Sequence, residues 1–258
     1  MKKKTVIPVL LILIVLGIVY LFIDDIKNIF IPIYKVVDRT KEVEKFKNNH
    51  TDEEVAGWIK IGGTNIDYPI LVNDDAYYYI DTIRDYNYAW VNSKIKNSYN
   101  YIPIYGHNVR NVSKKPIVGD KNMIKFEQLM SFIYYDFNKD NKYFQITIDG
   151  KNYLYEIFSV AVVKEVDLEP IPKKMSKNDL ATYIEKSLND SMYKFNVEVS
   201  NSDEIVSLIT CTRINGDKEE DFKVDGKLVK NKNIGYNYSV DKKDNKKLGN
   251  IDRGEEDV

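Results

Sequence analysis

Three side chains in this sequence could together carry out thiol chemistry. They are Cys211, the single cysteine of 258 residues; His107, one of two histidines; and Arg213, two residues past the cysteine. A thiol attacks as its thiolate, which a nearby cation favours, and thiol catalysis needs a proton carrier, most often an imidazole. A cation beside the sulfur also suits a substrate carbonyl or the oxyanion made from it. Cys211 ends the apolar run "EIVSLITCT". Strand alternation puts Val206 and Leu208 on one face and Ile205, Ile209 and Cys211 on the other, with Arg213 following if the chain stays extended. His107 closes a second such run, "YIPIYGHN", after Gly106, a residue that permits a turn or a close backbone approach. Both residues thus stand at strand ends beside loops, where a side chain is reachable. The plain alternatives are a small buried thiol and a structural histidine. His50, in the polar stretch "KNNHTDEE", reads as a solvated linker residue.

Strand ends can meet only if the intervening chain folds them together. Twenty Tyr and ten Phe suit strands better than a helical bundle. "WIKIGGTNIDYPIL" and "KYFQITIDGKNYLYEIFSVAVVKEV" read as hairpins, the second turning on Asp149-Gly150. "YNYAWVNS", "NYIPIYGHN", "DEIVSLITCT" and "DFKVDGKLVK" supply further strands. Helical spacing over Met123, Phe126, Leu129, Met130 and Ile133 predicts a helix. Ser176, with Asp179 three residues on, predicts an N-cap for the helix that follows. Thr51 with Glu54 predicts a capping box and a short helix. The sum is a mainly β fold: one closed barrel of seven or eight strands with peripheral helices over residues 51–230. Residues 231–258 are polar and without period, and read as a disordered tail.

Composition excludes several classes. Charged residues make up 30%, yet the net charge is −1, so no basic face for nucleic acid is expected. One cysteine makes no disulfide framework. Histidine and cysteine are too few for a zinc site, no EF-hand loop occurs and no phosphate-binding glycine loop is visible, so neither metal nor cofactor is expected. The N-terminus has a basic tip, residues 1–4, and then "TVIPVLLILIVLGIVYLFI", residues 5–23, without a charge. As a helix that run is roughly 28 Å long, enough for a bilayer's apolar core. No small-residue cleavage site follows, which predicts a retained transmembrane anchor with residues 1–4 cytoplasmic and the rest, beginning with a stalk over 24–50, outside the cell.

The motifs resemble those of the sortases, the membrane-anchored cysteine transpeptidases of Gram-positive bacteria, over about residues 50–230. "VAGWIKIGGTNIDYPIL" is similar to that family's opening strands, "YGHN" to its histidine motif and "SLITC" to the motif before its nucleophile. The helix near 177–190 and the long segment after His107 are most similar to class B. The resemblance implies that Cys211 attacks a threonine-like carbonyl in a sorting-signal peptide to give a thioacyl-enzyme. It implies that His107 protonates the leaving amine and deprotonates the incoming one. The acceptor would be an amine of a peptidoglycan precursor or a pilin, and pilin polymerisation or hydrolysis would use the same steps. One position departs from the family: Asp221, in "DFKVDGKLV", stands where the family has an arginine. Arg213 is therefore the expected substitute and Lys223 the second choice. The carboxylate also leaves open a barrel that binds peptides without turning them over.

Overall fold

The computed structural model describes residues 36–73, 86–109, 125–229 and 239–243. The expected anchor and the first part of the stalk lie outside the described residues. Among those described, no helix is long and apolar enough to cross a membrane.

Eight strands close a barrel: β1 (Val55–Ile61), β2 (Asp67–Val72), β3 (Ala89–Val91), β4 (Tyr101–Tyr105), β5 (Tyr143–Ile148), β6 (Lys151–Lys164), β8 (Ile205–Thr212) and β9 (Glu220–Leu228). Around the barrel the order is β1-β2-β3-β4-β8-β9-β6-β5, with β5 returning to β1. The β5–β6 hairpin turns where expected. Asp149 and Gly150 have φ of 50° and 70°, the left-handed pair that a tight two-residue turn requires. Strand alternation sorts β8 as predicted. Val206 and Leu208 join the barrel interior with Ile102, Ile104, Phe222 and Val224. Ile205 turns outward onto helix α3 (Lys177–Asp190), against Leu180 and Ile184. Ile209 packs outside with Leu71, Tyr88, Trp90 and Tyr105.

The helical segment after the His107 loop is a 3-10 helix over Glu127–Ile133 followed by α2 (Tyr135–Asp140). Phe126, Leu129, Met130 and Ile133 are all buried in the barrel cluster, which accounts for their spacing. Helix α3 begins at Ser176, whose Oγ accepts the Asp179 N–H at 3.2 Å, as the cap pattern predicts.

Three expectations differ. The described part of the stalk is built onto the barrel: α1 (Thr40–Asn49) packs there, and Arg39 just before it grips Asp67 with Nε and Nη2 at 2.9 and 2.5 Å. Residues 51–54 form a turn, because the Glu54 carbonyl is recruited by the Val72 N–H at 2.8 Å and the ladder of β1 with β2 wins over a helix. Within the tail, β10 (Val240–Lys242) pairs with β7 (Tyr193–Phe195). Val240 lies in the core, its carbonyl accepts from the Tyr135 hydroxyl at 2.9 Å, and Lys243 Nζ donates to the Leu188 and Asn189 carbonyls at 2.9 and 3.0 Å, which together hold that short piece.

Asp67 also accepts from Lys60 Nζ and Trp58 Nε1, each at 2.7 Å. Burial would raise its pKa, but the bonds from Arg39, Lys60 and Trp58 outweigh that and hold it at about 2. A depressed carboxylate stabilises the fold above its unfolded pKa, and that contribution fades as pH falls through the folded value. Asp67→Asn is therefore expected to melt a few degrees lower at pH 7, for a loss on the order of 1–2 kcal/mol. The gap from wild type should close between about pH 4 and pH 2 in thermal melts.

Candidate active site

The site is built on two parallel neighbours. Strands β4 and β8 pair in register from Tyr101↔Ile205 to Tyr105↔Ile209, so two residues further on His107 comes abreast of Cys211. Neighbouring strands lie about 4.8 Å apart. Three hydrogen bonds carry the pairing past the end of β4. The Gly106 N–H donates to the Ile209 carbonyl at 3.0 Å, Thr210 Oγ1 donates to the Gly106 carbonyl at 2.6 Å, and Asn108 Nδ2 donates to the Cys211 carbonyl at 2.9 Å. Gly106 is required by close approach, since a Cβ there would meet Phe126 Cγ at 2.3 Å. The Phe126 N–H in turn bonds the His107 carbonyl at 2.9 Å.

Both side chains are on the barrel's outer face. Cys211 is exposed and His107 is half-buried. The His107 ring rests against Trp90, centroids 4.4 Å apart, with Tyr88 edge-on at 6.4 Å. Trp90 Nε1 donates to Asn92 Oδ1 at 3.2 Å, and Asn92 Nδ2 donates to the Pro170 carbonyl at 3.1 Å. The wall behind the imidazole is thus tied to the segment after β6. That segment and Glu219 line an open depression of about 420 Å³, with Glu165, Val166, Leu168 and Pro170.

The electrostatics differ from the sequence expectation of a cation-favoured thiolate. Asp221 lies directly opposite Cys211 in the antiparallel β8–β9 ladder, so its carboxyl and the thiol share one face of the sheet. Desolvation of the sulfur, in a residue that stays exposed overall, pushes the Cys211 thiol up to about 11, and the charge of Asp221 adds to the shift, with Glu165 behind it. Burial and then Glu165 raise Asp221 to about 7. These neighbours favour the neutral thiol form of Cys211. Arg213 is exposed just beyond the end of β8, where its carbonyl accepts the Gly216 N–H at 2.9 Å.

Lys223, the second cation considered, is buried and committed elsewhere. Its Nζ lies 3.0 Å from Asp225 Oδ2, 3.0 Å from Ser187 Oγ and 3.2 Å from the Tyr183 hydroxyl, under α3. His50 is not solvated; it stacks on Phe46 at 4.0 Å, and the Phe46 carbonyl is 3.1 Å from its Nδ1. Among the described residues no group of three or more His, Cys, Asp or Glu is placed to hold a metal. Trp90 and Asn108 were not singled out from the sequence. Adjacency to His107 was a signal for Asn108, and nothing local marked Trp90.

No family model matches the chain. A sortase B of Listeria monocytogenes is 29% identical over 208 residues, 76% of this chain and 76% of that protein. A sortase B of Staphylococcus aureus is 23% identical over 187 residues, 69% of this chain and 72% of that one. The crystal structure of Clostridium perfringens sortase B superposes with a TM-score of 0.58 at 27% identity, covering 72% of this chain and 98% of that one.

The buried Lys223–Asp225 pair gives a separate test of the site's foundation. Lys223→Met leaves the Asp225 carboxylate buried without its cation, a loss of about 3–5 kcal/mol. A melting temperature lower by roughly 10 °C is expected. Adding Asp225→Leu should recover much of it, as read by thermal denaturation.

Proposed function

We propose that the chain, which is similar to sortase B proteins, is a sortase of the class B kind that acts at the outer face of the cell membrane of a Gram-positive cell, joining surface proteins to a wall amine. The observation that carries this reading is the parallel β4–β8 register, which sets an imidazole beside the one thiol and locks them together through Asn108. The uncharged run 5–23, long enough as a helix to span a bilayer, supports anchoring with the barrel outside. An anchored enzyme works where both secreted proteins and lipid-linked wall precursors emerge.

In the reaction, Cys211 attacks the carbonyl of a threonine-like residue in a C-terminal sorting signal. His107, as imidazolium, gives its proton to the leaving nitrogen, and a thioacyl-enzyme remains. The acceptor amine attacks that thioester and loses its proton to His107. Splitting one amide exchange into two acyl transfers lowers the barrier of each. Arg213, exposed two residues beyond the sulfur, supplies positive charge for the oxyanion in both halves. The apolar and acidic depression over Glu165–Pro170 flanks the path of the peptide.

The test is incubation of the full chain with a library of threonine-containing peptides and triglycine, followed by mass spectrometry. A thioacyl adduct on Cys211 and a triglycine-ligated product are expected. Cys211→Ala should abolish both, and His107→Ala should slow turnover about 10²–10⁴-fold. Arg213→Ala should lower kcat by about 10²-fold with the fold intact. An Arg213→Ala enzyme as fast as wild type removes that residue from the site. Free acid in place of ligated product identifies a hydrolase.

A further inference from the structure

A thiol held near 11 is not a thiolate at neutral pH, so its proton must leave as the sulfur attacks. Geometry supplies the acceptor. Asp221 is the cross-strand partner of Cys211, is 8% exposed, and carries its carboxyl on the same face of the sheet as the thiol. It stands at the position where the sequence resemblance led us to expect an arginine.

We propose that Asp221 is a catalytic residue, the general base that takes the Cys211 proton during attack and returns it when the sulfur leaves. This rests on Cys211 being the nucleophile, as in the proposed function. In the first half-reaction the thiol proton passes to an Asp221 carboxylate oxygen while the sulfur forms its bond to the acyl carbon. The carbonyl π pair moves to oxygen. As it returns, the C–N bond breaks and the nitrogen takes the proton of the His107 imidazolium. The thioacyl-enzyme is left with a protonated Asp221 and a neutral His107. In the second half the incoming amine gives a proton to His107, and the departing sulfur recovers its own from Asp221. Every group ends as it began. The carboxylate serves the sulfur and the imidazole serves the nitrogen, so neither handles two protons at once.

The surroundings suit such a base. Facing Asp221 are Cys211 from β8, Val163 from β6 and Glu165 from the turn after β6. Its neighbour Glu220 is engaged by the Asn215 side chain at 3.1 Å and backbone N–H at 3.3 Å. Lys223, two residues along β9, is held by Asp225. Arg213 lies past the end of β8, and His107 is one strand away. With Glu165 as the nearby charge, the Asp221 carboxyl titrates at about 7, close to working pH, where a base both accepts and releases a proton efficiently.

The test uses Asp221→Asn in the full chain, with Asp221→Ser as a second variant, and two readouts expected to move in opposite directions. Single-turnover acylation by a peptide that the wild type turns over should fall at least about 100-fold. Alkylation of Cys211 by iodoacetamide should become several-fold faster at pH 8, its midpoint dropping by about one unit or more once the opposing charge is gone. Acylation as fast as wild type, or an unchanged alkylation midpoint, overturns the proposal. So does a fall in both readouts together, which marks a structural role. Peptide turnover by Cys211→Ala would remove the nucleophile assignment itself and this proposal with it.

Discussion

The whole site depends on one parallel contact, that of β4 with β8. Parallel neighbours cannot be joined by a tight turn, so the chain between them must make a long crossover. Here that crossover contains two of the eight barrel strands, β5 and β6, together with α3, which covers the barrel's flank, and β7. Closing the barrel and assembling the site are therefore one event. The bonds from Gly106, Thr210 and Asn108 then hold the two strand ends in step beyond the last ladder pair. Each of them ends on a backbone carbonyl and none uses the imidazole or the thiol, so they fix the two strand ends and leave those two side chains out of the bonding.

Around that contact, charge is arranged in two zones. Deep under α3, Lys223 and Asp225 satisfy each other with help from Tyr183, Ser187 and Ser207. At the rim, Asp221 and Glu165 face the sulfur. The two zones lie on the same outer face of β9, at alternate positions. A side chain's depth beneath the helix, rather than its charge, decides whether it braces the sheet or meets the nucleophile.

Much of the fold was legible in local patterns. Asp149-Gly150 marked its turn because few residue pairs tolerate two positive φ values, and Ser176 marked its helix through a bond made within one turn. The faces of β8 followed from alternation alone. The site was half legible: Cys211 and His107 stood out by rarity and by their place at strand ends. The remainder depended on register. That Asp221 faces Cys211 is set by how β8 and β9 align across the loop from Arg213 to Glu219, and residue types there do not announce it. Lys223 looked available because its partners are Asp225, which alternation brings to the same face of β9, and Tyr183 and Ser187 from α3, distant in sequence. The docking of α1 rests on Arg39 reaching Asp67, a pairing of two ordinary surface residue types.

The carboxylate opposite the sulfur has a consequence for survival as well as for chemistry. Peroxide attacks thiolate and hardly touches thiol. Desolvation and the facing carboxylate raise the Cys211 pKa, so the vulnerable form is scarce at neutral pH. A sulfur so held resists the first step of oxidation, to sulfenic acid, even though it lies exposed.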